Sequence, residues 1–78
     1  VGALAVEAQP STAEVVVDGG FAAFAARTTT HPLELAPGLY RVEIRHRGYY
    51  SAYVEVTLRA AVRSQLTVRL RPVIDQLP

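Results

Sequence analysis

The chain has 78 residues, half of them hydrophobic, with a formal charge of +1 and no cysteine. That length allows one small domain whose stability comes from packed apolar faces, with no disulfide or thiolate site to assist. The near-neutral balance argues against a field dominated by nucleic acid or acidic membrane, and no apolar run approaches the ~18 residues of a membrane span. All eight basic residues are arginine, a bias that GC-rich coding explains as readily as selection for bidentate contacts.

Leu4, Val6 and Ala8 alternate with Ala5 and Glu7, which predicts a first strand. The opening VGALAVEA lacks a basic n-region and is not read as a signal peptide. Because the chain starts at Val1 rather than Met, it is expected to be a domain of something longer. Gln9-Pro10-Ser11-Thr12 breaks the strand, and Ala13 to Asp18 forms a second, β-branched one. Asp18-Gly19 closes it as a tight turn, where glycine supplies positive φ.

The segment GFAAFAARTTTH, residues 20 to 31, is ambiguous. Its alanines favour helix while Thr28 to Thr30 favour extended structure. Phe21 and Phe24 are the only phenylalanines; one helical turn would set both rings on one side. They either plug the open end of the fold or, with Arg27, form an exposed contact for a partner.

Pro32 pushes His31 toward extended geometry, and Leu33 and Leu35 alternate around Glu34 as a short strand. Pro37-Gly38 has the chemistry of a type II turn, with Gly38 at its positive-φ position. Tyr40, Val42 and Ile44 then face inward, with Arg41, Glu43 and Arg45 outward, and Gly48 reverses the chain. Ala52, Val54, Val56 and Leu58 alternate with Tyr53, Glu55, Thr57 and Arg59. After Ala60-Ala61, a last strand carries Leu66, Val68 and Leu70. Pro72 ends it, so residues 1–71 are expected to form the domain and 72–78 a linker or tail.

Six or seven short strands, each with one apolar face and turn signals between them, predict an all-β domain: a small antiparallel β-sandwich of the immunoglobulin-like kind.

The order of these pieces resembles the PEGA domain family. The matching segments are AEVVVDG (13–19), HPLEL (31–35), APG (36–38), LYRVEI (39–44), GYY (48–50), YVEV (53–56) and LTVRL (66–70). They cover residues 4 to 71, with Leu35-Ala36-Pro37-Gly38 in the place of the name-giving motif. The usual Gly-x-Thr-Pro reads Thr-Thr-His-Pro here, and the loop after Asp18-Gly19 is longer than the family pattern, so no family contact through that loop is carried over. What the resemblance implies is a non-catalytic binding or spacer module of a bacterial surface or envelope protein. It would lie outside the cytoplasm, in the periplasm or at the cell surface, tethered through its parent, with a protein or a neighbouring domain of the same chain as partner. No family-wide ligand residues follow from it.

No constellation for chemistry is visible. Ser11, Ser51 and Ser64 lack a nucleophile-elbow context. His31 reads as a turn residue and His46 as a half-buried structural one; two separated histidines make no zinc site. No enzyme, cofactor or metal is therefore expected. Arginines beside aromatics leave a glycan or anionic-polymer surface as the alternative, with Arg41, Arg45, Tyr50 and Tyr53 as contacts. Against it, Glu43 and Glu55 can pair with these arginines across strands at about 0.2–1 kcal/mol each. Nucleic acid is not expected. A chelator should leave the thermal melt of the chain unchanged; a large downward shift would reveal a metal with ligands this pattern does not show.

Overall fold

The computed structural model describes residues 1–73. Among them are seven strands, β1 (Gly2–Gln9), β2 (Glu14–Val17), β3 (Gly20–Phe24), β4 (Leu33–Leu35), β5 (Gly38–Arg45), β6 (Ala52–Leu58) and β7 (Arg63–Arg69), and one short helix, α1 (Ala25–Thr30). The strands form two sheets, ordered β4-β1-β7 and β3-β2-β5-β6. Their facing sides supply the core: Leu4, Val6 and Ala8 from β1 against Val15, Val42, Ile44, Val56 and Leu58 from the second sheet. The alternation that predicted strands thus decides which face is buried, and the sandwich is the result.

Pairing is antiparallel except between β1 and β7, which run parallel from Ala3↔Arg63 to Gln9↔Arg69. The expectation of a wholly antiparallel sandwich rested on turn signals, and these report only strands adjacent in sequence. β1 and β7 have the whole second sheet between them, so no local residue encodes their relative direction.

The turns sort differently from the sequence reading. Asp18 (φ 48°) and Gly19 (φ 85°) are both left-handed, as a two-residue type I′ hairpin loop requires. The Asp18 carboxylate also accepts the Arg41 N–H at 2.8 Å, extending the β2–β5 ladder by one side-chain rung. Gly38 has a positive φ, but at 153° it is far from the ~80° of a type II turn. Pro37-Gly38 is instead the corner at which the chain leaves β4 in one sheet and enters β5 in the other. The Tyr40 hydroxyl donates to the Ala36 carbonyl across this corner, the arrangement of a tyrosine corner in Greek-key sandwiches. The type II geometry falls at Arg47-Gly48: the Tyr49 N–H donates to His46 O at 3.0 Å and Gly48 has φ 85°.

Residues 20–31 resolve into a strand and then a helix, the reverse of local preference. Gly20–Phe24, with its alanines and phenylalanines, is β3, drawn into pairing with β2 by the hairpin loop. The helix falls on AARTTT. Each threonine hydroxyl there donates to the carbonyl three residues back, Thr28 to Ala25, Thr29 to Ala26 and Thr30 to Arg27, at 2.7 to 3.1 Å. Those bonds offset the poor helix propensity of β-branched residues.

Thr28 has a second role. It is the one buried polar side chain among the described residues, and its Oγ1 accepts the Val6 N–H at 2.8 Å while lying 3.0 Å from Val6 O. β4 covers this edge of β1 only as far as Leu4↔Leu33. Two residues further on, one threonine oxygen stands where the next strand rung would be.

The tail expected from residue 72 is held to the domain at its start. Tyr49 bridges Pro72, and the Val73 N–H donates to Gly48 O at 2.9 Å. We propose that the folded unit extends at least to Val73; residues 74–78 lie outside the described residues.

Thr28→Val keeps the shape but removes the hydroxyl, leaving the buried Val6 N–H without its acceptor. Chemical denaturation should show a loss of about 1–3 kcal/mol. Thr28→Ser should retain most of the stability. Equal losses in the two variants would show that the methyl group, rather than the hydroxyl, anchors α1.

Candidate functional site

The outward side of the β3-β2-β5-β6 sheet gathers most of the residues singled out from the sequence. Strand register decides this. Across β5 and β6, Leu39 faces Thr57, Arg41 faces Glu55 and Glu43 faces Tyr53. Glu14 lies beside Arg45, and Val16 beside Glu43. These positions alternate with the buried Val42, Ile44 and Val56, so they share the solvent side.

Phe21 and Phe24 reach the same side by a local irregularity. Val15 pairs with Ala23 but Val16 pairs with Phe21, leaving Ala22 as the extra residue of a β-bulge. Three positions apart on a regular strand, the two rings would point to opposite faces; the extra residue removes one alternation and puts them together. Their ring centroids are 5.4 Å apart in an edge arrangement. Sequence reasoning expected the rings on one side by a helical turn; the outcome is the same and the cause is the bulge. Both are about half exposed, at 54% and 51%, and neither belongs to the core cluster. Val16 between them and β5 is only 3% exposed although it is on the outer side. Arg27 is exposed on α1, outside the strands of this sheet.

Arg41 and Tyr53 come together. With Asp18, Gly19, Leu39, Glu43 and Glu55 they line a shallow depression of about 530 Å³. Leu39, 64% exposed, was not singled out from the sequence, although its place one residue before the inward Tyr40 marks it as outward. Tyr53 is 68% exposed. The depression holds three carboxylates, Asp18, Glu43 and Glu55, against one guanidinium, a balance unfavourable to an anionic polymer.

Arg45 sits elsewhere, lining a separate depression with Glu14, His46, Arg47 and Ser51. Tyr50 is exposed in the loop after β5, where its N–H donates to Arg71 O. Tyr49 beside it is half-buried against the core, and its ring meets His46 edge-on at 5.2 Å. His46 is structural: Nδ1 lies 2.8 Å from Arg47 O and Nε2 lies 2.8 Å from Thr12 Oγ1. A carbonyl can only accept, so this geometry places a proton on Nδ1 and lets Nε2 accept from the Thr12 hydroxyl.

Of the two cross-strand carboxylates expected to pair with arginine, Glu55 does so and Glu43 does not, and Glu14 supplies a second pair. Arg41 pairs with Glu55 at 4.0 Å and Arg45 with Glu14 at 3.1 Å, while no bridge to Glu43 forms among the described residues. All four side chains are substantially exposed, so each pair contributes little. Glu14→Gln should lower stability by less than about 1 kcal/mol. A loss well above that in chemical denaturation would show that the pair ties β2 to β5.

Among the described residues, no group of three or more His, Cys, Asp or Glu could hold a metal ion. No helix of the structure is long and apolar enough to cross a membrane. Among curated proteins, no relative matches the chain. The family model for the PEGA domain matches residues 1–74, which covers the two sheets, the α1 crossover and the bulged β3 that the sequence pattern alone had set apart. The chain belongs to the PEGA domain family.

Proposed function

We propose that this chain is a protein-contact or spacer module of a larger bacterial envelope or surface protein, working outside the cytoplasm. PEGA domains are generally non-catalytic accessory modules and typically extracytoplasmic, which supports both parts of that reading. The contact surface is the outward side of the β3-β2-β5-β6 sheet. One observation carries it: Phe21 and Phe24 lie edge to face on that side, half exposed. Rings of this size dominate the energy of an interface when a partner buries them, and in water they gain nothing from their exposure.

A second reading, glycan binding at Tyr53, draws support from the exposed ring beside Arg41 and three carboxylates. A neutral sugar stacked on Tyr53 with its hydroxyls toward those groups suits the lining better than an anionic polymer.

Two measurements test the contact reading. In the chain with Phe21→Ala and Phe24→Ala, chemical denaturation should show a loss well below the ~3–5 kcal/mol of a buried Phe→Ala change. A photo-reactive phenylalanine analogue at position 21 of the intact protein should cross-link to protein. A loss of several kcal/mol would return the rings to a core role. Cross-linking to glycan in place of protein would favour the second reading.

A further inference from the structure

We propose that this domain carries tension along its parent chain, with the parallel β1–β7 pair as the element that bears the load. This rests on the spacer half of the reading above and says what the spacer is built to withstand.

The direction of one pairing sets the mechanics. If the first and last strands paired antiparallel, the chain would enter and leave at the same end of their ladder. Tension would then peel the rungs one after another, each hydrogen bond meeting the force alone. β1 and β7 instead run parallel, registered over seven pairs from Ala3↔Arg63 to Gln9↔Arg69. The chain enters β1 beside Arg63 and leaves β7 beside Gln9, at opposite ends of one ladder. Tension along the chain slides the two strands past each other and loads every rung at once.

The ladder is locked against slipping. It is bonded at both ends, by Ala3 N–H to Val62 O at 3.1 Å and by Leu70 N–H to Gln9 O at 2.9 Å. A slip of one residue would turn Leu66 and Val68, which pack against the core, to the outer face. β1 is also held on its other edge, by β4 as far as Leu4↔Leu33 and then by the Thr28 hydroxyl on the Val6 N–H. β7 has β1 as its single strand neighbour, so force passing between the two strands crosses this ladder. Beyond Arg69 the chain is held to the loop between β5 and β6 by two backbone hydrogen bonds, Tyr50 N–H to Arg71 O and Val73 N–H to Gly48 O. A pull from the C-terminal side reaches the ladder once those give way.

Single-molecule force spectroscopy can pull the same two strands in two directions through cysteine handles, since the chain has no cysteine of its own. Val1→Cys with Arg69→Cys pulls the ladder lengthwise. Val1→Cys with Arg63→Cys pulls it apart from one end. At one loading rate, the lengthwise pair should unfold at a severalfold higher force. Val1, Arg63 and Arg69 are exposed, and neither arginine takes part in an ion pair among the described residues. The chemical-denaturation midpoints of both variants should therefore stay close to wild type and show that folding is intact. Equilibrium stability has no direction, whereas forced unfolding follows the barrier along the pull, so equal midpoints with unequal forces isolate the geometry.

Equal unfolding forces in the two directions would overturn the proposal, as would a higher force for the one-ended pull. Should the forces be equal while position 21 still cross-links to protein, load-bearing is wrong and the contact surface stands. A force difference without any cross-link would support the load-bearing spacer and remove the contact.

Discussion

The architecture depends on one threonine hydroxyl. The chain must pass from β3 in one sheet to β4 in the other, and α1 is that passage. Thr28 fixes the helix to β1 by accepting the Val6 N–H, at the position where β4 has stopped pairing. Ala25, at the start of the helix, is fully buried in the core cluster. A buried polar group is tolerated only when satisfied. Thr28 is satisfied by donating to the Ala25 carbonyl and by accepting the Val6 N–H, which would otherwise be orphaned.

With α1 fixed, the remainder follows from strand geometry. The helix begins directly after Phe24, and the Ala25 and Ala26 N–H groups donate to Ala13 and Ser11, so the far end of β3 is tied down where the helix starts. Its near end is tied by the type I′ loop at Asp18-Gly19. Between two fixed ends the strand has one residue more than the facing stretch of β2, and the surplus appears as the bulge at Ala22. That single extra residue puts both phenylalanines on the solvent side. The feature that most suggests a function is therefore a consequence of how the crossover is anchored.

The outward face combines this apolar edge with a mixed-charge centre. Its ion pairs are exposed and weak, and the lining of the depression around Tyr53 is more acidic than basic. Fields of that kind set orientation and exclude wrong partners more than they add affinity. The proposed contact therefore rests on the aromatic edge rather than on the charges.

Much of the fold was legible from the residues alone. Period-two alternation in β1, β5, β6 and β7 gave the strands and their inward faces, because a side chain on a strand has only two sides to choose from. Asp18-Gly19 and Gly48 declared turns because few other residues tolerate their φ values. The Arg41 and Tyr53 positions read as surface, the Phe pair was left open between core plug and exposed contact, and the family pattern was readable in the order of the pieces. Tertiary structure decided what no local signal carries. The parallel direction of β1 against β7, the conversion of Ala-rich sequence to strand and Thr-rich sequence to helix, and the Pro37-Gly38 corner between sheets all follow from pairing with distant segments. So does the meeting of Phe21 with Phe24. Sequence states the preferences of each residue toward its neighbours; register, which settles which residues share a face, is set by bonds between strands far apart in the chain.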